Sequence, residues 1–216
     1  MVELVLMCDP RVTAIPTEPK DDPFVDLREF GEFFISDLRS GDDGAYAFIR
    51  SELSKRLLEA ETCLPPDHHL LLIEGYRSFA VQSNYFESYR DEMARANPAA
   101  SDGELDKLTS RHVSPPDVAP HVSGAAIDLT LCNDAGREVD MGTPVNATPE
   151  QSNGACYFNA DNISIEARHN REILGTALRK AGFVNYPTEW WHWSFGDRYW
   201  ALLKNEPAAH YISISR

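Results

Sequence analysis

The sequence predicts an α+β fold in a single domain, with a central antiparallel sheet flanked by helices. Three observations carry that reading. Apolar residues recur three and four apart over stretches of helix length, short apolar runs of strand length lie between them, and no internal repeat or low-complexity tract is present. With 216 residues, 43% of them hydrophobic, the chain is long enough for one large core.

Residues 1–27 read as an arm packed on the domain, because Pro10, Pro16, Pro19 and Pro23 interrupt any regular element. Residues 28–216 read as the domain itself. From Gly44 to about Glu61, the spacing of Tyr46, Ile49, Leu53, Leu57 and Leu58 predicts an amphipathic helix, closed by Pro65-Pro66. Leu70-Leu71-Leu72-Ile73 predicts a short strand that delivers Glu74-Gly75-Tyr76-Arg77-Ser78. A second helix is expected from about Phe79 to Ala96, burying Phe86, Tyr89 and Met93, and Asn97-Pro98 ends it.

Ser101-Asp102-Gly103-Glu104 has the form of a capping box and starts a further short helix. Ala125 to Leu131 reads as a buried strand, with Asn133-Asp134-Ala135-Gly136 as a hairpin turn returning through Arg137-Glu138-Val139. The aperiodic segment from Gly142 to Asn162 reads as a loop flanking an active site. Ser164 caps a third helix that buries Ala167, Ile173, Leu174, Ala177, Leu178 and Ala181 and stops at Gly182. Phe183 to Tyr186 and Trp191 to Phe195 complete the expected strands.

Twenty basic against thirty-four acidic residues leave a net charge of −14, which repels phosphate backbones and anionic membrane surfaces. Neither nucleic acid nor membrane is expected as a partner. The first residues lack a basic region followed by an apolar run, and no stretch of about 18 apolar residues occurs. A cytoplasmic location is the expectation. Cys8, Cys63, Cys132 and Cys156 are far apart, as reduced thiols in a large domain would be.

Two separated segments carry the chemistry: His121-Val122-Ser123-Gly124-Ala125-Ala126-Ile127-Asp128 and Glu189-Trp190-Trp191-His192. His121, Asp128 and His192 offer two imidazoles and a carboxylate, a ligand set that leaves a fourth position on zinc for water. Asp128 interrupts an apolar run, where an unpaired charge would cost several kcal/mol and a metal ion would resolve the cost. Gly124-Ala125-Ala126 removes bulk where backbone would pass close to a metal or substrate. Glu189, three residues before His192, suits a general base for the attacking water; a surface residue or a fourth ligand are the plainer alternatives. Arg77 is a candidate to stabilise an oxyanion, although spacing alone favours a salt bridge to Glu74. Trp190, Trp191 and Trp193 read as core and pocket-wall aromatics.

On these motifs, together with Leu129-Thr130-Leu131 and Met141-Gly142-Thr143, the chain from about Leu70 to Trp200 resembles the VanX-like branch of the zinc D-Ala-D-Ala peptidase family. The resemblance implies the fold shared by the hedgehog domain and the D,D-peptidases. It also implies one zinc ion per chain on His121, Asp128 and His192, with Glu189 as catalytic base and Arg77 as the transition-state arginine. The implied partner is a small D-amino-acid peptide, and the implied reaction hydrolyses a D,D-dipeptide from cell-wall precursor metabolism.

Departures from the family fall on the substrate side. Val145-Asn146 stands where many relatives have an aromatic residue and an aspartate that holds the substrate ammonium, and Ala119 stands where some carry serine. Ala119, Asn146 and Tyr76 are accordingly the expected substrate contacts. An amide lacks the charge a carboxylate offers to an ammonium group, so the expectation is either a related D-amino-acid-containing peptide as substrate or D-Ala-D-Ala with its amine bound by an acid from the N-terminal arm. A D,D-carboxypeptidase or endopeptidase acting on muropeptides and a non-catalytic zinc-containing binding module are the alternatives. Retention of Glu189 and Arg77 disfavours the last.

Overall fold

The computed structural model describes residues 4–40 and 44–214, so residues 1–3 of the N-terminal arm lie outside the described residues. Asp9 caps a single helical turn, α1 (Pro10–Thr13), by accepting from the Arg11 N–H. Pro10 sits at the first helical position, where its missing N–H would have had no helical partner anyway. Strand β1 (Phe24–Asp26) follows. These two elements correct the expectation that prolines leave this segment without regular structure.

After the two-residue strand β2 (Phe34–Ile35), the chain forms a 3-10 turn at Ala45–Ala47 and then strand β3 (Phe48–Arg50). Helix α2 (Ser51–Glu61) begins only there, which corrects the helix expected from Gly44. Gly44 has φ 64° and Arg50 is extended, so helical hydrogen bonds cannot run through the segment. Ile49 matched the helical spacing because it is a strand residue pointing into the core, paired with Val25 in the β1–β3 ribbon.

Strand β4 (His69–Glu74) leads into α3 (Phe79–Ala96), whose N-cap Ser78 accepts from the Val81 N–H. Helix α4 (Asp102–Ser110) starts with the capping box of Ser101 and Glu104. Strand β5 (Ala126–Cys132) is buried along its whole length. The Asn133–Gly136 turn forms, but its returning arm makes only a single bridge between Cys132 and Glu138. Helix α5 (Ile165–Lys180) is capped by Ser164, and β6 (Val184–Asn185), β7 (His192–Ser194) and α6 (Arg198–Lys204) complete the chain. Neither β2 nor α6 was expected from the sequence.

The main sheet among the described residues has the order β2-β4-β5-β7-β6. It is antiparallel from β4 to β6, and the short edge strand β2 joins β4 in parallel. Leu70, Leu72, Ile127, Leu129, Leu131 and Trp193 form the apolar core with buried residues of α2 and α5. A separate small cluster of Tyr89, Met93, Leu105 and Val113 joins α3 to α4. No described helix is long and apolar enough to cross a membrane, and all four cysteines are unpaired.

The long loop after β5 is fastened by one buried cation. Arg171 of α5 is 1% exposed and donates from Nε to the Met141 carbonyl at 2.8 Å, from Nη1 to Tyr157 at 2.6 Å and from Nη2 to Ala155 at 2.9 Å. Burial pushes its guanidinium down to about 10, still charged at neutral pH. Replacing Arg171 with Met keeps an apolar stem and strands the carbonyls of Met141 and Ala155, which cost roughly 1–3 kcal/mol each when unpaired, whereas that of Tyr157 still accepts from the Ala160 N–H. Urea unfolding followed by tryptophan fluorescence should show Arg171→Met less stable by about 2–4 kcal/mol. A loss below about 0.5 kcal/mol would mean the loop holds its shape without the guanidinium.

Candidate active site

The site is built across three neighbouring strands. Asp128 of β5 pairs in register with Glu74 of β4 on one side and His192 of β7 on the other, so these side chains stand in a row on one face. A bulge makes this possible: Leu72 lies opposite Leu129 but Glu74 lies opposite Asp128, so Ile73 is the extra residue. Without it the apolar Ile73 would occupy the place of Glu74.

His121 enters from a 3-10 turn, Pro120–Ser123, that follows Ala119. Its Nδ1 lies 2.6 Å from the Gly75 carbonyl. Donation to that oxygen puts the proton on Nδ1 and leaves the Nε2 lone pair facing the row. Gly75 must be glycine here, because a Cβ would sit 2.4 Å from the Phe48 carbonyl. Gly124 serves a different purpose from the one expected. Its φ is 71° and a Cβ would strike the Phe24 ring at 2.4 Å, so the missing side chain accommodates a turn and an aromatic ring.

His121 Nε2, His192 Nδ1 and Asp128 Oδ1 converge. The separations are 3.1 Å between the nitrogens, 2.9 Å from His192 to Asp128 and 3.3 Å from His121 to Asp128. Ligands about 2.0–2.1 Å from a tetrahedral zinc stand roughly 3.3 Å apart, so the triangle fits that ion with small adjustments. All three residues are buried. Burial alone would push the Asp128 carboxyl up, but the imidazoles of His121 and His192 outweigh it and hold the group well below the usual carboxylate range. Burial likewise opposes charge on His192, yet Asp128 raises it above an ordinary histidine.

Glu189 lies beside this trio, with Oε2 4.0 Å from His192 Nδ1 and Oε1 3.1 Å from His112 Nδ1. Asn185 ties the intervening turn by donating from Nδ2 to the carbonyls of Glu189 and His192, each at 2.9 Å. Arg77 makes a two-pronged ion pair with Glu74 at 2.7 Å from both Nε and Nη2, and its Nη1 donates to Gln82 at 2.8 Å. Burial opposes charge on both partners, but their pairing lowers Glu74 and raises Arg77, so the pair stays ionised. The plain salt bridge that spacing favoured is therefore present, and three of the five guanidinium N–H groups serve it and Gln82.

A cavity of ≈ 280 Å³ opens over the trio. His121, Asp128, His192, Glu189 and Arg77 all line it, as do Ala119 and Asn146. Asn146 reaches it in a left-handed conformation, φ 64°. Tyr76 does not line it; its ring packs edge-on against Phe24 and its hydroxyl donates to the Ile214 carbonyl at 3.4 Å. Trp190, Trp191 and Trp193 are core residues rather than cavity wall. Among the described residues no part of the N-terminal arm reaches the cavity, which corrects the expectation of an acid from that segment. Besides Asp128 and Glu189, the acid that lines it is Glu92, from the α3 face that also presents Gln82 and Tyr85. His112 and Arg39 are further lining residues that the sequence did not single out, since only the packing of α3, α4 and the 37–39 turn brings them there.

Comparison with known proteins shows the family. Residues 34–212 match the family model described as D-ala-D-ala dipeptidase. The D-alanyl-D-alanine dipeptidase of Synechocystis sp. is 30% identical over 73% of this chain and 73% of its own length, and that of Enterococcus faecium is 28% identical over 68% and 72%. Among solved structures, a VanY D,D-pentapeptidase mutant in complex with Zn(II) superposes with a TM-score of 0.43 at 13% identity, covering 93% of this chain and 96% of that one. With a family match that spans the whole sheet and both motif segments, the chain belongs to the D-Ala-D-Ala dipeptidase family of zinc metallopeptidases.

Proposed function

We propose that the protein hydrolyses the peptide bond of D-alanyl-D-alanine or a closely related D-amino-acid dipeptide, using one zinc ion held by His121, Asp128 and His192. The observation that carries this reading is the convergence of three ligand atoms beside the Glu189 carboxylate, in the wall of a small cavity. At ≈ 280 Å³ the cavity lies near the lower end of small-ligand sites, which run from about 300 to 1,000 Å³. When bound, zinc lowers the pKa of a water toward about 7 and polarises the scissile carbonyl.

The chain's own residues supply the proton path and the charge. Glu189 accepts the proton of the attacking water on one oxygen and returns it to the leaving amine. Arg77, permanently charged and oriented by Glu74 and Gln82, donates to the oxyanion with N–H groups those two leave unused. Asn146 offers hydrogen bonds but no charge to the substrate amine, whereas Glu92 offers a full negative charge at the same cavity. An N-blocked substrate, as in a D,D-carboxypeptidase, is the second reading, and it is favoured by the neutral amide at Asn146.

Glu189→Ala should lower kcat by at least about 10²–10⁴-fold. Metal analysis of the variant should still find zinc, and undiminished turnover would remove Glu189 from the mechanism. Dialysis against a chelator is expected to abolish hydrolysis and Zn2+ to restore it; a chelated protein with full activity and no metal would overturn the zinc reading. Glu92→Gln should raise KM for D-Ala-D-Ala roughly fivefold, about 1 kcal/mol, and leave an N-acetylated analogue unaffected. Rapid cleavage of the acetylated compound alone would transfer the protein to the carboxypeptidase reading.

A further inference from the structure

We infer that His112 is a positioning residue that fixes the Glu189 carboxylate by holding its Oε1, so that Oε2 is presented to the His121–Asp128–His192 trio. The inference rests on the reading of Glu189 as general base. His112 follows α4 and has no place in either motif segment. Its ring nitrogen Nδ1 is 3.1 Å from Glu189 Oε1, while Oε2 lies on the other side, 4.0 Å from His192 Nδ1. The two oxygens of one carboxylate thus face different neighbours.

The surroundings hold the imidazole in place. Its ring packs edge-on against Tyr89, centroids 5.1 Å apart, and the Tyr89 hydroxyl donates to Glu150. Glu150 in turn pairs with Arg111, the residue before His112, at 3.2 Å. The His112 backbone N–H donates to the Thr109 carbonyl at 3.0 Å. Nδ1 is buried and has no hydrogen-bond partner, because Oε1 approaches off the line of the ring N–H. A buried nitrogen 3.1 Å from a carboxylate oxygen has every reason to close that angle, since the nitrogen would otherwise remain unsatisfied.

A glutamate carboxylate turns about a broad, roughly two-fold torsion, so nothing intrinsic to the side chain keeps one oxygen on the reacting side. A general base must lie within about 2.6–3.2 Å of the proton it takes. Donation from the Nδ1–H to Oε1 holds the torsion without consuming the lone pairs of Oε2. The proton from water then goes to Oε2, and the His112 proton stays where it is.

The test uses the zinc-loaded full-length protein carrying His112→Phe or His112→Asn, assayed on D-Ala-D-Ala in the natural background and with Glu189→Ala. Phenylalanine keeps the ring packing without a donor, and the Asn amide donates from near the Nδ1 position. His112→Phe is expected to lower kcat roughly tenfold to a hundredfold, the range found for supporting residues around metal sites, with KM changed less than about twofold. His112→Asn should recover most of that loss, and zinc content and near-UV circular dichroism should match the parent. In the Glu189→Ala background neither substitution should lower the residual rate further. A His112→Phe enzyme with parental kcat, or an Asn variant as slow as Phe, would overturn the inference. A Glu189→Ala enzyme that is itself fully active would instead overturn the base assignment on which it stands.

Discussion

Burial of the Asp128 carboxylate is the constraint around which the rest of the structure is arranged. It sits in the middle strand of the sheet, 2% exposed, between Ile127 and Leu129, which point to the opposite, apolar face. An isolated carboxylate there would be held neutral or would unfold the strand. His121 and His192 oppose that, and the divalent cation proposed among the three donors would complete the compensation. The two histidines must therefore be delivered to within 3.3 Å of one oxygen, and the antiparallel β5–β7 register and the turn before Gly124 do the delivering.

The same row forces a second compensation on its other side. Glu74 is buried beside Asp128, and two adjacent carboxylates in a low-dielectric layer repel one another. Arg77 answers this with a two-pronged pair, and Arg39 adds a longer contact of 3.5 Å to the same Glu74. The wall around Glu74 thus holds two guanidinium groups for one carboxylate. Arg77 thus stands paired and oriented in the cavity wall, as the oxyanion role proposed for it requires.

Local signals made the long elements legible. Helix α3 begins after Ser78 and ends before Asn97, and α4 has its capping box, because caps and prolines act on the few residues beside them. The convergence of His121, Asp128 and His192 was legible because a carboxylate inside an apolar run is costly enough to demand an explanation. Strands β2 and β3 were not, since two- and three-residue strands exist only through distant partners such as Leu71, Leu72 and Val25. His112 and Glu92 escaped for the same reason at the level of side chains. Each lies in an ordinary polar context in sequence, and only the packing of α3 against α4 turns them toward the cavity.

The division between rigid and variable parts of the cavity follows from where each residue is anchored. Asp128 and His192 stand on paired strands, His121 is fixed by the Gly75 carbonyl, and Asn185 clamps the turn that carries Glu189. A change at any of these disturbs sheet hydrogen bonds or a buried charge. Asn146 and Thr148 come instead from the loop that Arg171 holds by its backbone at Met141, Ala155 and Tyr157, leaving the side chains between them outside that grip. Ala119 likewise meets the cavity ahead of the fixed turn. Residue type at Thr148 can therefore change without touching the Arg171 contacts, whereas Asn146, at φ 64°, favours residues that accept the left-handed region. The substitutions that set this chain apart from its resemblance, Ala119 and Asn146, both line the cavity outside the His121–Asp128–His192 trio, so the substrate side differs while the trio is kept.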